Sequence, residues 1–176
     1  MAIELVAVDD ATTRGAAREL IAEYLGWIAS SASASYGLSF DIDAMLASDI
    51  EDRAKFYPPS GRFYLIRREN ADVGVGCLRR ISASVAEIQR MYVQPHVRGA
   101  GAGRLLLQQL LSDARAIGYE VVRLESLKFL SAAHALYKSV GFVEIAPYAE
   151  NSMTQYQPRD TIDRYHSNAV FMELRL

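Results

Sequence analysis

The segment from Arg98 to Arg104 places three glycines, Gly99, Gly101 and Gly103, between two arginines. It follows an apolar stretch of strand character and opens a stretch in which leucines recur every three to four residues, as in an amphipathic helix. Glycine lets an anion approach the backbone closely, and the first N–H groups of a helix carry partial positive charge. The segment therefore predicts a phosphate-binding loop at a strand-to-helix junction.

Two common nucleotide-binding loops do not fit these residues. A Walker A loop needs lysine and then serine or threonine after its last glycine, whereas Arg104 and Leu105 follow Gly103. A dinucleotide fingerprint needs a further glycine at its sixth position, and a start at Gly99 or Gly101 finds arginine or leucine there. A glycine-rich turn without a ligand stays open on the residues of this segment alone.

Residues Arg98, Gly101 and Gly103 meet the Gln/Arg-x-x-Gly-x-Gly/Ala signature of the GNAT acetyltransferase superfamily. The preceding Ala86–Pro95 resembles the strand that leads into that family's pyrophosphate loop, and Ala135–Phe142 resembles its second motif, with Leu-Tyr and Gly-Phe pairs. Three motifs in this order favour the family over a ligand-free turn. Further stretches are similar to small bacterial GNAT proteins of unassigned substrate: Arg18–Tyr24, Tyr57–Gly61, Gly76–Cys77 and Ala169–Leu174.

The resemblance implies acetyl-CoA as cosubstrate and no metal. Backbone groups of one strand would pair with the pantetheine arm, and the glycine loop would hold the pyrophosphate. Many family members carry an asparagine where this chain has Leu130, so contacts from the motif helix are expected from other groups. The expected cofactor-binding residues are Met91, Tyr92, Val93, Arg98, Gly99, Ala100, Gly101, Ala102, Gly103, Arg104, Ala133, Tyr137 and Lys138.

Acetyl transfer to an amine needs a base for the amine and a proton for the departing thiolate. A lysine-like amine with a pKa of about 10.4 is mostly protonated at neutral pH, a handicap of roughly 4 to 5 kcal/mol. The resemblance places Tyr137 as the proton donor and Glu87 as the base, directly or through water. A backbone N–H near Met91 or Tyr92 would meet the oxyanion. Core packing for Tyr137 and a structural or surface role for Glu87 remain the alternatives.

Ten tyrosines are many for this length. The first helices and the last hairpin wall the acceptor site in GNAT folds, so Tyr24, Tyr57 and Tyr148 are expected to contact the acceptor, with surface packing as the alternative. The three histidines, His96, His134 and His166, have spacings that fit no common metal set.

Length, net charge and cysteine content restrict the classes to which this protein can belong. A length of 176 residues suits a single domain, 1–176, and a net charge of -2 argues against nucleic acid as a partner. Neither a signal peptide nor an apolar run of membrane-spanning length is recognisable. Cys77 is the only cysteine and lies in an apolar run, which favours a buried structural thiol. We therefore expect a cytoplasmic protein with no membrane partner, and the resemblance adds that homodimers can form.

Hydrophobic periodicity indicates the elements that position these residues. Together with the resemblance it predicts an α/β (α+β) GNAT fold, a mixed and mostly antiparallel twisted sheet of six to seven strands flanked by about four helices. The polar segment Tyr148–Ser167 is expected to be a loop or a short excursion on the substrate side. Expected strands are Ile3–Val8, Arg62–Arg67, Val73–Ile81, Ser84–Val93, Val121–Leu124, Phe142–Ile145 and Asn168–Leu174. Expected helices run from about Asp10 to Ala29, Ile42 to Lys55, Gly103 to Ile117 and Ser131 to Ser139.

The predicted function is transfer of an acetyl group from acetyl-CoA to a primary amine of a small molecule or peptide, directly in a ternary complex. A non-catalytic acyl-CoA-binding sensor or interaction module is the alternative, against which the retained Glu87 and Tyr137 argue. A tRNA-directed acetylating toxin is disfavoured by the acidic charge balance.

Overall fold

A computed structural model describes residues 2–176. Within this range the strands are β1 (Ile3–Ala7), β2 (Arg62–Arg68), β3 (Ala71–Arg80), β4 (Val85–Val93), β5 (Val121–Leu127), β6 (Val143–Ile145) and β7 (Ala169–Arg175). The α-helices are α1 (Ala11–Tyr36), α2 (Ile42–Glu51), α3 (Ala102–Ile117), α4 (Ser131–Ser139) and α5 (Ile162–Asn168). Two short 3-10 helices span Pro95–Val97 and Ser152–Tyr156.

The seven described strands form one sheet in the order β1-β2-β3-β4-β5-β7-β6. Each neighbouring pair is antiparallel except β4 and β5, which are parallel. Two hydrophobic cores cover its two faces, one beneath α1 and α2 and the other beneath α3. The predicted class, a mixed and mostly antiparallel sheet flanked by helices, is confirmed.

The two parallel strands separate soon after they meet. Pairing between them covers only Val85–Glu87 against Val121–Arg123, although β4 continues to Val93 and β5 to Leu127. Beyond Glu87, β4 is therefore paired with β3 on one side only within the described residues. The two strands splay apart from there on, and the splay leaves a row of β4 main-chain groups facing an opening.

A bulge in β4 changes which side chains face that opening. Arg90 has a φ of 56°, and the two β4 residues between the pairs Cys77–Gln89 and Val75–Tyr92, Arg90 and Met91, oppose the single β3 residue Gly76. A one-residue insertion reverses the alternation of side chains beyond it. As a result Glu87, Gln89, Arg90 and Tyr92 all lie on the α1–α2 face of the sheet.

Several elements differ from the sequence-based expectations: α2 ends at Glu51 instead of Lys55, β5 continues to Leu127, and α1 and the segment before β7 differ most. Helix α1 continues to Tyr36, seven residues past Ala29, because Ala32 packs fully buried although its serine-rich surroundings favour helix ends. Gly37 then ends the helix with a φ of 62°. The segment between β6 and β7, which we name the β6–β7 excursion (residues 146–168), contains a 3-10 helix and α5 and is not a simple loop. Tyr165 is the buried residue of α5. The Asn, Gln and Asp residues of the excursion obscure the helical pattern in the sequence.

The apolar run around Cys77 is buried as predicted. Cys77 is fully covered, and burial raises the pKa of its thiol well above the usual value. Across residues 2–176, none of the helices combines the length and the apolar character needed to cross a bilayer.

Candidate active site

The glycine loop joins β4 to the start of α3. Gly99 and Gly101 have φ values of 83° and 84°, and a Cβ at either position would meet only open space. The positive φ of both glycines and the open space around them fit a loop whose backbone faces a ligand. Gly101 is the N-cap of α3 and supplies no side-chain cap, so the first N–H groups of this helix are not bonded by a capping side chain. The loop therefore joins a strand to an uncapped helix start, which is the junction at which the sequence predicts a phosphate site.

The arginines at the two ends of this loop are exposed. The Arg98 Nε donates to the carbonyl oxygen of Val93 at 2.9 Å, and its guanidinium lies 5.1 Å from the ring centre of Trp27 and 5.8 Å from that of Tyr92. The Arg104 Nη2 donates to Ser139 Oγ at 2.9 Å. Both charges lie beside the uncapped helix start, where they add to its attraction for an anion.

The strand residues expected to pair with pantetheine lie at the splay. Met91 and Val93 pack their side chains against the α3 side, while Tyr92 is buried on the other face and its hydroxyl donates to Glu23 Oε1 at 2.6 Å. Glu23 belongs to α1, so this bond fixes the end of β4 against that helix. The free edge of β4 at these three residues is open to a strand-like ligand.

Glu87 is buried and closely surrounded by partners. Its carboxylate accepts from Arg79 Nε at 3.0 Å, from the Tyr148 hydroxyl at 2.7 Å and from Gln89 Nε2. Only 1% of the residue is exposed. A carboxylate that accepts from a guanidinium, a phenol and an amide has few lone pairs left for a substrate.

Glu125 on β5 is the carboxyl group that the sequence reasoning did not select. Burial raises its pKa to about 7, and the charge of Glu87 acts in the same direction. Hydrogen bonds from Tyr165 and Asn151 and the charge of Arg90 partly offset this rise. A carboxyl group with a pKa near neutral pH is present in both protonation states under ordinary conditions, which suits proton transfer.

Glu125 and Glu87 face a common cavity of about 50 Å3 between the splayed strands, α1, α2 and the β6–β7 excursion. Polar groups from α1, β4, β5 and the β6–β7 excursion meet there. Its lining includes Tyr24, Glu87, Gln89, Arg90, Glu125, Ser126, Asn151, Ser152, Met153 and Tyr165. In the described part of the chain, no three His, Cys, Asp or Glu side chains are grouped so as to hold a metal ion.

Tyr137 is buried in α4 and packs on Phe142, with 5.9 Å between ring centres. Burial raises the pKa of its phenol, with Tyr24 and Glu125 adding to the rise, so the hydroxyl keeps its proton at neutral pH. On the same helix Ala133 is half-buried, whereas Lys138 is exposed and pairs with Glu144 at 2.6 Å.

The structure separates the three tyrosines expected at the acceptor site. Tyr24 lines the cavity, and burial raises its pKa to about 12. Tyr148 is buried behind Glu87 as its hydrogen-bond donor. Tyr57 lies outside the cavity lining and packs on Phe63, with the Arg53 guanidinium 4.9 Å from its ring centre.

Comparison with known proteins agrees with this geometry. A model of the acetyltransferase (GNAT) domain matches residues 59–144. An uncharacterized N-acetyltransferase of Escherichia coli, YjgM, is 32% identical over 118 residues, which cover 64% of this chain and 71% of that protein. The chain belongs to the GNAT acetyltransferase family. The matched region contains the glycine loop, both parallel strands and the motif helix, so the family assignment rests on the elements that build the site.

Other relatives match over shorter parts of their length. An uncharacterized N-acetyltransferase of Dictyostelium discoideum is 39% identical over 67 residues, 38% of this chain and 31% of that protein. The IAA acetyltransferase of Azospirillum brasilense is 35% identical over 101 residues, 57% of this chain and 64% of that protein. The chain thus spans less than two thirds of the length of these two relatives.

Solved structures share the fold over the whole chain. A GNAT-family acetyltransferase of Staphylococcus aureus superposes with a TM-score of 0.75 at 17% identity and 99% coverage of both chains. The PaiA N-acetyltransferase of Thermoplasma acidophilum, solved in complex with coenzyme A, superposes with a TM-score of 0.69 at 16% identity and full coverage of both chains. At these identities the likeness establishes the GNAT fold.

Sequence reasoning missed several polar residues of the cavity, among them Glu125 and Arg90. The expected strand ended at Leu124, one residue before Glu125, although the strand continues to Leu127. The alternation of apolar and charged residues from Val122 to Glu125 continues the strand pattern and was the available signal. Arg90 was hidden by the bulge, because strict alternation places it on the same face as Ile88, towards the other core.

Proposed function

We propose that this chain transfers the acetyl group of acetyl-CoA directly to a primary amine of a small molecule or peptide. The observation that carries the proposal is the placement of Glu125, with its pKa near 7, in a cavity at the splay between β4 and β5. An uncapped helix start flanks the same splay. An anion site, a free strand edge and a titratable carboxyl group are the parts that this reaction needs.

The residues present fit acetyl-CoA. The open space at Gly99 and Gly101, the free N–H groups at the start of α3 and the charges of Arg98 and Arg104 suit its pyrophosphate. The unpaired edge from Met91 to Val93 suits the amides of its pantetheine arm. When bound, acetyl-CoA supplies the activated acetyl group as a thioester.

Glu125 is the base in this proposal, and Glu87 holds the site in place. Glu125 removes a proton from the incoming ammonium group, directly or through one water. Glu87 is already engaged by Arg79, Tyr148 and Gln89, so it fixes the excursion and the cavity wall instead of exchanging protons.

Tyr137 donates a proton to the leaving sulfur. Its phenol is buried and protonated at neutral pH, the state that a proton donor requires. A backbone N–H at Met91 or Tyr92, beside the bulge, stabilises the negative charge that develops on the acetyl oxygen.

Direct transfer is favoured over an acyl-enzyme. Cys77, the only thiol, is fully buried on β3, and burial raises its pKa, which disfavours the nucleophilic thiolate.

The test is an initial-rate study that varies acetyl-CoA and an accepted amine together, with thiol release and the mass of the acetylated amine as readouts. Direct transfer predicts reciprocal plots that intersect and an acetylated product. Parallel lines contradict the ternary complex. Saturable binding without product from any amine favours the acyl-CoA sensor instead.

A further inference from the structure

Arg90 is a buried cation that lines the cavity. Its Nε donates to Asp49 Oδ2 at 2.5 Å and its Nη2 lies 3.5 Å from Asp49 Oδ1. Its Nη1 has the Met153 sulfur at 3.8 Å, and sulfur is a weak acceptor. A guanidinium carries five N–H groups, so the edge that lines the cavity retains donors without a charged partner.

The charges around this arginine are unequal. Asp49 is fully buried and accepts from Lys55 Nζ at 2.5 Å as well as from Arg90, so two cations share one carboxylate. Glu87 does not compensate the excess, because Arg79 already pairs with it, and Glu125, with a pKa of about 7, is only partly ionised at neutral pH. An uncompensated buried charge is costly, and an anion in the cavity relieves that cost.

Gln89 adds a second unsatisfied group to the same lining. Its Nε2 donates to Glu87 and to Ser152 Oγ, which identifies the amide nitrogen and turns Oε1 to the other side. Oε1 is buried and has no hydrogen-bond partner among residues 2–176. A buried carbonyl oxygen of this kind calls for a donor such as the N–H of an amine.

We propose that the acceptor is a compact amino acid, whose carboxylate binds the free edge of Arg90 while its amine lies between Gln89 Oε1 and the Glu125 carboxyl group. This inference rests on the proposed acetyl transfer and names its acceptor class. Arg90 and Gln89 are neighbours at the bulge and line the same cavity, so we expect an anion and an amine bound to them to lie within the span of one amino acid. The small volume of the cavity, about 50 Å3, favours few atoms between and beyond these groups.

Other amines fit these groups less well. A simple alkylamine leaves the Arg90 edge without an anion. A polyamine brings further positive charge towards Arg90, which is unfavourable. A peptide N-terminus offers a neutral carbonyl oxygen in place of a carboxylate and continues into a chain for which the cavity has little room.

The first test uses the wild-type protein with matched acceptors: small amino acids, their amides, and the amines that lack the carboxyl group. We expect kcat/KM for the acid to exceed that for its amide about tenfold or more, the loss typical of an unpaired buried polar group. The amine of the amide is the more acidic, so its larger free-base fraction works against this result. An amide or simple amine that is used equally well overturns the inference.

A binding measurement distinguishes failure of this inference from failure of the proposed function. In calorimetry with the protein saturated with coenzyme A, the amino acid is expected to bind more tightly than its amide whether or not transfer occurs. Preferential binding of the acid without turnover supports the acceptor site and contradicts acetyl transfer. Acid and amide that bind equally, or fail to bind, overturn the acceptor site even if another amine is acetylated.

A matched pair of variants locates the effect. Arg90→Gln and Lys55→Gln each remove one cation from Asp49, but only Arg90 lines the cavity. We expect Arg90→Gln to raise KM for the acid and leave KM for the amide nearly unchanged, so that the preference disappears. Lys55→Gln is expected to keep the preference, and its loss there contradicts the role of Arg90. If Arg90→Gln does not fold, the wild-type comparisons decide the matter.

Discussion

At the scale of single residues, Glu87 and Glu125 carry the same carboxyl group on neighbouring strands but have different surroundings. Glu87 is bonded by Arg79, Tyr148 and Gln89, whereas Glu125 has a pKa raised to about 7 by burial. The motif resemblance placed Glu87 on the strand that leads into the glycine loop, which is β4. It carried no information on the partners of that carboxylate, because Tyr148 reaches it from 61 positions along the chain.

Removal of the Glu125 carboxyl group tests the base. As pH rises through about 7, Glu125 loses its proton and becomes able to accept one, so kcat/KM of the wild type is expected to increase over that range. Glu125→Gln is expected to lower kcat about a hundredfold and to remove this limb of the pH profile. Steady-state rates from pH 5.5 to 9 at saturating acetyl-CoA measure both effects.

The control at this scale is Tyr137→Phe. It is expected to lower kcat because the leaving sulfur loses its proton donor, while the limb near pH 7 remains. A Glu125→Gln profile that keeps the wild-type shape contradicts the assignment of Glu125 as the base.

At the scale of elements, periodicity predicted the helix after the glycine loop and the motif helix closely. The apolar positions of α3 recur at helical spacing and Gly118 ends it, so local pattern and packing agree. The C-terminal part of α1 and the whole of α5 lack that pattern. Ala32 is the buried residue in the C-terminal part of α1, and Tyr165 is the buried residue of α5. A single buried residue gives no periodic pattern that the sequence could show.

Two glycines of α3 offer a matched test of the anion site. Gly101 and Gly118 lie at opposite ends of the helix, both with positive φ and both with open space around a built Cβ. Substitution by glutamate is expected to lower the free energy of unfolding by about 1 kcal/mol at either end. Only Gly101→Glu puts a carboxylate where the phosphate is expected, so calorimetry is expected to find acetyl-CoA binding lost there and retained in Gly118→Glu. Equal affinities in the two variants contradict the site.

A buried salt bridge between Asp49 and Arg90 links α2 to the bulge of β4. Asp49→Asn leaves Arg90 and Lys55 without their shared carboxylate in a buried setting, so the free energy of unfolding is expected to fall by about 3 kcal/mol. Urea titration followed by circular dichroism measures the loss.

The control variant for this buried salt bridge is Glu144→Gln, which removes the partner of Lys138 from an exposed pair. It is expected to leave the unfolding midpoint nearly unchanged, since solvent and salt already screen that pair. A loss in Asp49→Asn no larger than in Glu144→Gln contradicts the structural role of the buried pair.

At the scale of the whole molecule, the splay between β4 and β5 brings the separate motifs together. Sequence pattern and family resemblance predict a mixed, mostly antiparallel sheet of six to seven strands, and the sheet confirms this. The position of the bulge and the path of the β6–β7 excursion depend on long-range contacts, such as Gln89 with Ser152 and Arg90 with Met153. These contacts build the cavity, which explains why its polar lining was harder to predict than the loop.

The measurement that tests the central claim most directly is calorimetric titration of the wild-type protein with acetyl-CoA, followed in the same sample by thiol release after an amine is added. The account predicts saturable binding with one site per chain and thiol release that depends on the amine. Absence of acetyl-CoA binding by a folded sample would contradict the account.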